Sequence, residues 1–318
     1  EDIQYSKGQS KALELRGILY RINGFYDEAI KDFYKSLEIS QEIDYHRGLA
    51  SVYANLGLLS FDKGEFEDAI MFHKKSLEIK KKYEGAGSVL FSLNDICEAL
   101  IEINKIEESL KYSREALEFT RSRKDTSGMG FAYYNIATSI FLNGDLNSAL
   151  ETTEFSIDLC QKSNNRFIEM KALGLKSKIL IDMRQYDESI IWAQKSKKIA
   201  SELDFPKYLK DAFHLIAIGH AANGNYKKAY RTQKKVALLK DSIFNKKVEQ
   251  KTALMAFQNE MRAKQEVLEA KYAASLKNQK YQLLIFSGGI ILLIAFFIII
   301  YFKNKQLKKA YEKLSLAN

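Results

Sequence analysis

The chain has 318 residues, of which 46% are hydrophobic and 28% are charged, and it contains a single proline. Abundant Ala, Leu, Glu, Lys and Ser then favour an all-helical protein, because almost nothing in the backbone interrupts long helices. Two cysteines, Cys97 and Cys160, lack metal-binding or redox spacing, which excludes a cysteine-based metal or redox motif and leaves buried free thiols as the interpretation.

The formal net charge of +9 has two interpretations. It could indicate an anionic partner such as nucleic acid or a membrane surface. Solvated helix faces together with a lysine-rich flank beside a membrane segment explain it more simply, and we favour that interpretation.

The chain begins at Glu1, without methionine. Gly8 matches Gly48 and Gly128 at intervals of 40 and 120 residues, so the first residues are expected to form a link between repeats. We therefore expect further repeats, or a secretion signal, before residue 1.

Six segments of 40 residues follow one another without insertion or deletion. Each carries a small residue at one position of the pattern, and this position falls at Ala29, Ala69, Ser109, Ala149, Ser189 and Ala229. A second small residue stands twelve positions earlier, from Gly17 to Ala217, and a further one seven positions later in all repeats but the last. This regularity predicts an array of identical structural units.

Each unit is predicted to contain two antiparallel helices. The first, such as Leu49 to Lys63, has apolar residues at helical spacing. It ends at a glycine in four repeats, because glycine can adopt the left-handed conformation that closes a helix: Gly24, Gly64, Gly144 and Gly224. Asn104 is the next best residue for that conformation, whereas Arg184 departs from the pattern.

The second helix opens with acidic residues, which favour the positive helix start. These pairs are Asp27 and Glu28, Glu67 and Asp68, Glu107 and Glu108, and Asp187 and Glu188. The sixth repeat has Lys227 and Lys228 instead, which indicates an atypical terminal repeat.

This 40-residue pattern resembles the tetratricopeptide repeat over about Tyr5 to Lys240. The resemblance implies an all-α, right-handed solenoid of six helix-turn-helix repeats, which we assign to residues 1–240. It also implies that the first helices line a concave groove that holds an extended or helical peptide.

Carrying the groove positions over repeat by repeat predicts a surface rich in aromatic and amide side chains. Rings supply contact area and amides pair with a peptide backbone. The predicted residues are Asn55, Leu58, Phe61, Phe91, Asn94, Glu98, Phe131, Tyr134, Asn135, Thr138, Phe141, Lys178 and His214, with Ile181 and Ile218 beside them. The alternative is that several of them pack between neighbouring repeats.

Residues 241–281 are predicted to form a juxtamembrane signalling helix, with no proline or glycine. Apolar residues recur there at helical spacing: Leu254, Phe257, Met261, Leu268, Tyr272 and Leu276. Lys264 and Lys271 interrupt a heptad, so the pattern predicts a weak or ligand-tuned homodimer through residues 241–318 rather than a regular coiled coil.

Residues 282–302 are predicted to cross a membrane, since Leu283 to Phe302 contains no charge and Tyr281 and Tyr301 stand at its ends. More lysines follow the segment than precede it, which places the C-terminus in the cytoplasm and the repeats outside. Residues 303–318 are predicted to be a cytoplasmic helical stub that leads to an absent output domain.

This order of parts resembles the sensor half of bacterial membrane-anchored tetratricopeptide histidine kinases and of their helix-turn-helix regulator relatives. The resemblance implies a signal-transduction protein of the bacterial inner membrane with periplasmic repeats, and any kinase motifs would lie beyond Asn318. The alternatives are a membrane-tethered scaffold without an output domain, a chain with cytoplasmic repeats, and an enzyme.

The enzyme is the remotest alternative, because no catalytic constellation, phosphate-cradling loop or metal motif is present. His214 and His220 fall on different sides of a helix. We therefore expect no catalytic residue, no cofactor and no metal, and no nucleic acid as a partner of this chain.

Overall fold

The computed structural model describes residues 2–83 and 86–315, and all the regular structure in those ranges is helical. Twelve helices are found there: α1 (Asp2–Ile22), α2 (Tyr26–Glu42), α3 (His46–Lys63), α4 (Phe66–Tyr83), α5 (Ala86–Glu102), α6 (Ile106–Ser122), α7 (Thr126–Leu142), α8 (Leu146–Lys162), α9 (Arg166–Asp182), α10 (Tyr186–Glu202), α11 (Pro206–Ala222) and α12 (Tyr226–Ser315). The chain divides into two compact units, Glu1–Lys251 and Thr252–Asn318.

The first unit is a solenoid of helix pairs, which confirms the predicted fold class. Each helix from α1 to α10 packs on the next in the chain, and each odd-numbered helix from α1 to α9 also contacts the following odd-numbered one. Between successive even-numbered helices from α2 to α10, no such contact occurs in the described part of the chain. The odd-numbered helices therefore form the inner layer, where the repeats approach most closely.

The two helices of a repeat meet at a contact where the sizes of the two side chains compensate each other. An added Cβ on Gly17 would lie 2.6 Å from the Phe33 ring, and one on Gly57 would lie 2.6 Å from the ring of His73. In the third repeat the same contact joins two smaller residues, with the Ser113 hydroxyl 3.2 Å from the Cys97 sulfur. A small residue on one helix thus accommodates a large one on its partner, which maintains the helix spacing.

A serine hydroxyl ties the second helix of four repeats to the helix before it. Its Oγ donates to a carbonyl oxygen 26 residues earlier, at 2.7 to 2.9 Å, in Ser36 to Ser10, Ser76 to Ala50, Ser156 to Gly130 and Ser196 to Met170. Ala116 occupies this position in the third repeat and is fully buried. The small residue of the sequence pattern therefore allows the two helices to approach closely. Where it is serine, its buried hydroxyl group also has a hydrogen-bond partner on the preceding helix.

The turns within repeats adopt the left-handed conformation, as the sequence predicts. The four glycines have φ between +74° and +89°, and Asn104 has φ +57°. Arg184 also adopts it, with φ +61°, because the helix packing on both sides determines the turn. The described links between repeats use the same conformation at Asp44, Lys124, Asn164 and Asp204.

One feature differs from the expectations. The first residues are not a link, since α1 is already helical from Asp2. At the other end, α12 continues without a break past residues 240 and 281, in agreement with the helical pattern of the sequence, because no glycine or proline interrupts it before Gly288.

The second unit consists of the C-terminal part of α12. This helix is long and apolar enough to cross a membrane by length and composition, and it is the one such helix among the described residues. The side chains of its apolar segment are exposed, as Ile285 (76%) illustrates. The predicted stub extends beyond the described residues at 316–318.

Candidate functional site

A cavity of about 430 Å³ opens on the inner layer of the solenoid. Helices α3, α5, α7, α9 and α11 all contribute to its wall, and Ser196 of α10 contributes from behind. The cavity therefore lies on the surface where the resemblance places a peptide groove, and it spans five consecutive repeats.

Seven of the thirteen predicted groove residues line this cavity: Phe61, Glu98, Tyr134, Asn135, Thr138, Phe141 and Lys178. The other six lie outside its lining: Asn55, Leu58, Phe91, Asn94, Phe131 and His214. Phe91 and His214 are exposed on the first helices, whereas Asn55 and Asn94 are buried. The binding role of all thirteen stays a prediction.

The asparagines of the groove hold neighbouring repeats together. Nδ2 of Asn135 donates to Oδ1 of Asn94 at 2.8 Å, and both residues are almost fully buried. Nδ2 of Asn55 donates to Oε1 of Glu14 at 2.9 Å. These contacts match the packing alternative, although Oδ1 of Asn135 and Nδ2 of Asn94 are buried without a hydrogen-bond partner among the described atoms.

At the centre of the cavity, Lys171 of α9 reaches across α7 to Glu98 of α5. The Lys171 Nζ lies 2.5 Å from Oε1 of Glu98, and the lysine side chain is only 11% exposed. The two residues are separated by 73 positions in the chain, against 41 for the pair of Asn94 and Asn135. The ion pair thus links repeats three and five across the groove.

Aromatic rings surround the Lys171 ammonium group. Its Nζ lies 4.8 Å from the ring centroid of Tyr134, 5.6 Å from that of Phe131 and 5.8 Å from that of Phe167. Burial by itself lowers the pKa of Lys171, but Tyr134, Glu98 and Tyr208 together raise it above its ordinary value. The ammonium group therefore stays charged, and the Glu98 carboxylate and the surrounding rings together stabilise its charge.

The sequence analysis did not select Lys171, although the repeat register indicated it. Lys171 stands 40 residues after Phe131 and 80 after Phe91, both of which were selected. The cavity also contains Lys207, Tyr208 and Asp211 from the first turns of α11, which had no sequence signal other than their place in the register. Burial raises the pKa of Tyr208.

The charges of the cavity wall are separated along the array. Glu98 and Glu102 come from α5, whereas Lys171 and Lys178 come from α9 and Lys207 from α11. Asp211 is the acidic residue at the basic end. The groove therefore has an acidic side toward the third repeat and a predominantly basic side toward the fifth and sixth.

A second cluster of ionisable groups lies between α4 and α5. Nδ1 of His73 is 3.7 Å from Oδ2 of Asp95, and Nζ of Lys80 is 3.1 Å from the hydroxyl of Ser92. Burial, followed by the charge of Lys80, lowers the pKa of His73 to about 4. Burial and the nearby carboxylate of Glu98 raise the pKa of Asp95 to about 7, so Asp95 titrates near neutral pH.

The described residues contain no group of three or more His, Cys, Asp or Glu side chains that could hold a metal ion. Both cysteines are free and buried. Burial raises the pKa of Cys97 to about 12 and that of Cys160 to about 11, as expected for thiols that contribute to packing rather than reaction.

Residues 9–82 match the family model of the tetratricopeptide repeat. No curated protein matches the chain. Among solved structures, aspartyl phosphate phosphatase F from Bacillus subtilis is similar with a TM-score of 0.60 and 14% identity, over 76% of this chain and 72% of its own.

Two further structures have comparable similarity. A Rap protein complexed with competence and sporulation factor has a TM-score of 0.55 and 17% identity, over 76% of each chain. A signal transduction ATPase from Pyrococcus horikoshii with a tetratricopeptide repeat sensor has a TM-score of 0.59 and 17% identity, over 76% of this chain and 38% of its own. Together with the matched repeats, this shared fold makes the array a tetratricopeptide-type solenoid, a protein-interaction module.

Proposed function

We propose that this chain is the membrane-anchored sensor or interaction module of a bacterial signal-transduction protein, and that it binds a peptide or a peptide segment of a protein in its concave groove. The observation that carries the proposal is the cavity of about 430 Å³ on the inner layer, where aromatic rings stand beside separated charges. Cavities of this size accommodate a few side chains, and polar groups at defined places provide specificity.

The charges of the groove indicate which peptide would fit. A basic group of the ligand would lie near Glu98 and Glu102, and an acidic group near Lys178 and Lys207. Tyr134 and Phe141 would cover apolar side chains between these ends. Because opposite charges steer association and fix orientation, we expect the peptide to bind in one direction.

The anchoring part of the proposal depends on the uncharged segment of α12. That segment has the length of a bilayer core, and the lysine distribution favours periplasmic repeats and a cytoplasmic C-terminus. Two of the similar structures are described as a complex with a sporulation factor and as a sensor-bearing signal transduction protein. Binding in the groove would bias the pairing of α12 only if the ligand binds two states of the chain unequally.

A selection from a random peptide library against the full chain in nanodiscs tests the groove. Selected peptides are expected to bind the unmodified chain and to lose affinity with Gly174→Leu, since Gly174 lines the cavity and the larger side chain would occupy it. Gly174→Ala is the matched control, because an added Cβ there meets only the Ser196 hydroxyl at 3.6 Å.

A second control is Glu151→Arg on the exposed surface of α8, which should leave binding unchanged. Binding that survives Gly174→Leu, or that Glu151→Arg abolishes, would contradict a groove site. Photo-crosslinking from position 138 in the cavity should capture the same peptides.

A further inference from the structure

The turn between α1 and α2 carries an aromatic residue, Phe25, at a position that is polar in every other repeat. The equivalent residues, at intervals of 40, are Glu65, Lys105, Asp145, Gln185 and Asn225. Those five residues are exposed, whereas Phe25 is only 6% exposed. The turn itself therefore does not require a buried residue, and the burial of Phe25 has another cause.

Local helix chemistry also disfavours an aromatic residue at this position. The residue before a helix is preferably one whose side chain accepts a hydrogen bond from the first turn. Asp145 does so in the fourth repeat, where it accepts from the Ser148 N–H at 3.1 Å, but Phe25 gives α2 no side-chain cap. A departure from a local preference that the fold tolerates indicates a role in contacts beyond the turn.

The ring of Phe25 contacts the other end of the array. Its centroid lies 6.4 Å from that of the Tyr20 ring, and Nζ of Lys251 on α12 lies 5.5 Å from it. At this distance an ammonium group is attracted by the face of an aromatic ring. The last helix of the array therefore reaches the turn of the first repeat.

The part of α12 that makes this contact lies beyond the sixth repeat. One face of α12 is half-buried at helical spacing through Ala229, Thr232, Val236, Leu239 and Ile243. The other second helices have 17 or 18 residues, a length that would end α12 at about Ile243. Residues 244–251 are thus an extension of the repeat, yet they belong to the same compact unit as the array.

A contact between the two ends of a solenoid depends on the curvature of the whole array. Each odd-numbered helix from α1 to α9 contacts the next odd-numbered one, so small rotations at successive repeats accumulate toward the ends. The cavity is lined by helices of five consecutive repeats. A ligand that draws the walls of the cavity together therefore acts on the same interfaces that bring Lys251 to Phe25.

We propose that Phe25 and residues 244–251 form an intramolecular clasp, which joins the first repeat to α12, and that a ligand in the groove opens this clasp. The clasp is closed at the curvature of the free chain, so a ligand that favours another curvature lowers the population of the closed state. Because α12 continues without a break beyond Lys251, its release from the first repeat frees the helix that carries the apolar segment. The effect of the ligand rests on the proposed function, whereas the clasp itself does not.

Photo-crosslinking of the full chain in nanodiscs tests the clasp. The photoreactive residue p-benzoylphenylalanine is placed at position 25, where it keeps an aromatic ring, and at position 105, the equivalent turn of the third repeat, as the matched control. Mass spectrometry should find an intrachain crosslink from position 25 to residues 244–251, with a yield severalfold above that from position 105. Equal yields, or a crosslink found only between isotope-labelled and unlabelled copies, would overturn the clasp.

Hydrogen exchange tests the contribution of the two side chains. Phe25→Gln introduces the residue that the fifth repeat has at this turn, and it should raise the amide exchange rate of residues 244–251 severalfold. Lys251→Gln should also raise this rate, whereas Lys251→Arg should preserve it because a guanidinium also binds a ring face. Lys105→Gln is the matched control and should leave it unchanged. The same exchange rate in Phe25→Gln as in the unmodified chain would contradict the clasp.

The peptides selected on the full chain test the effect of a ligand. Their binding should lower the crosslink yield from position 25 severalfold, and this response should be absent in Gly174→Leu. An unchanged yield with bound peptide would refute the opening of the clasp. The two proposals fail separately: a chain that binds peptide but lacks the crosslink refutes only the clasp, and one that shows the crosslink but binds no peptide refutes only the proposed function.

Discussion

The ion pair between Glu98 and Lys171 should couple the third and fifth repeats, and its energy can be measured. Glu98→Gln leaves the Lys171 ammonium, 11% exposed, without its carboxylate. Removing one partner of a buried pair costs about 3 to 5 kcal/mol, and we expect about 3 kcal/mol here because Glu98 is 36% exposed and admits water.

The opposite substitution should cost less. Lys171→Met keeps the apolar stem against Tyr134 and Phe131, and it leaves a carboxylate that water can reach, so we expect about 1 kcal/mol. The double variant should cost much less than the sum of the two, with a coupling of about 2 kcal/mol.

The measurement has a suitable internal probe. The chain contains one tryptophan, Trp192, which lies on α10 and packs against the cluster that includes Met170 and Leu173 of α9. Because a repeat array can unfold in stages, fluorescence of Trp192 during urea unfolding reports on the fifth repeat itself. If the loss of stability in the double variant equalled the sum of the losses in the two single variants, the reasoning would be refuted, because two residues that form an ion pair should have a non-zero coupling energy.

Two further predictions concern the packing between helices. Asp95→Asn should become progressively more stable than the unmodified chain as pH rises from 6 to 8. The pKa of Asp95 is raised to about 7, so near pH 6 the folded unmodified chain holds a proton that the unfolded chain has already lost. As pH rises from 6 to 8 this proton is released, and the unfolding free energy of the unmodified chain should fall by about 1.4 kcal/mol. If the unfolding free energies of Asp95→Asn and of the unmodified chain, measured in urea, differed by a constant amount across this pH range, the raised pKa of Asp95 would be contradicted. Gly57→Ala should destabilise the second repeat by about 1 to 3 kcal/mol, because the added Cβ would lie 2.6 Å from the buried ring of His73. Gly174→Ala, which meets only ordinary contacts, should be neutral or stabilise its helix by up to about 1 kcal/mol; similar thermal unfolding losses in the two variants would refute this contrast.

The array could be derived from the sequence because each repeat encodes its own packing. Three local requirements recur every 40 residues: close helix approach at Ala69, a left-handed turn at Gly64, and acidic residues at the start of the second helix. Arg184 shows where such reasoning was weaker, since neighbouring helices impose a left-handed turn on a residue that does not favour it.

The groove was only partly predictable. The resemblance indicated the inner layer, on which the cavity lies, but the repeat register cannot distinguish Tyr134, which lines the cavity, from Asn94, which is buried against Asn135. Lys171 was missed because its importance comes from Glu98, 73 positions earlier in the chain.

The amino-acid sequence by itself therefore determined the helix pairs, their number and the apolar segment of the last helix, because those features depend on neighbours a few positions or one repeat away. Only the tertiary structure decided which inner-layer side chains are buried and which line a cavity, and which charges meet across the groove. Those properties depend on the curvature with which successive repeats stack, and that curvature results from the summed packing of all the interfaces.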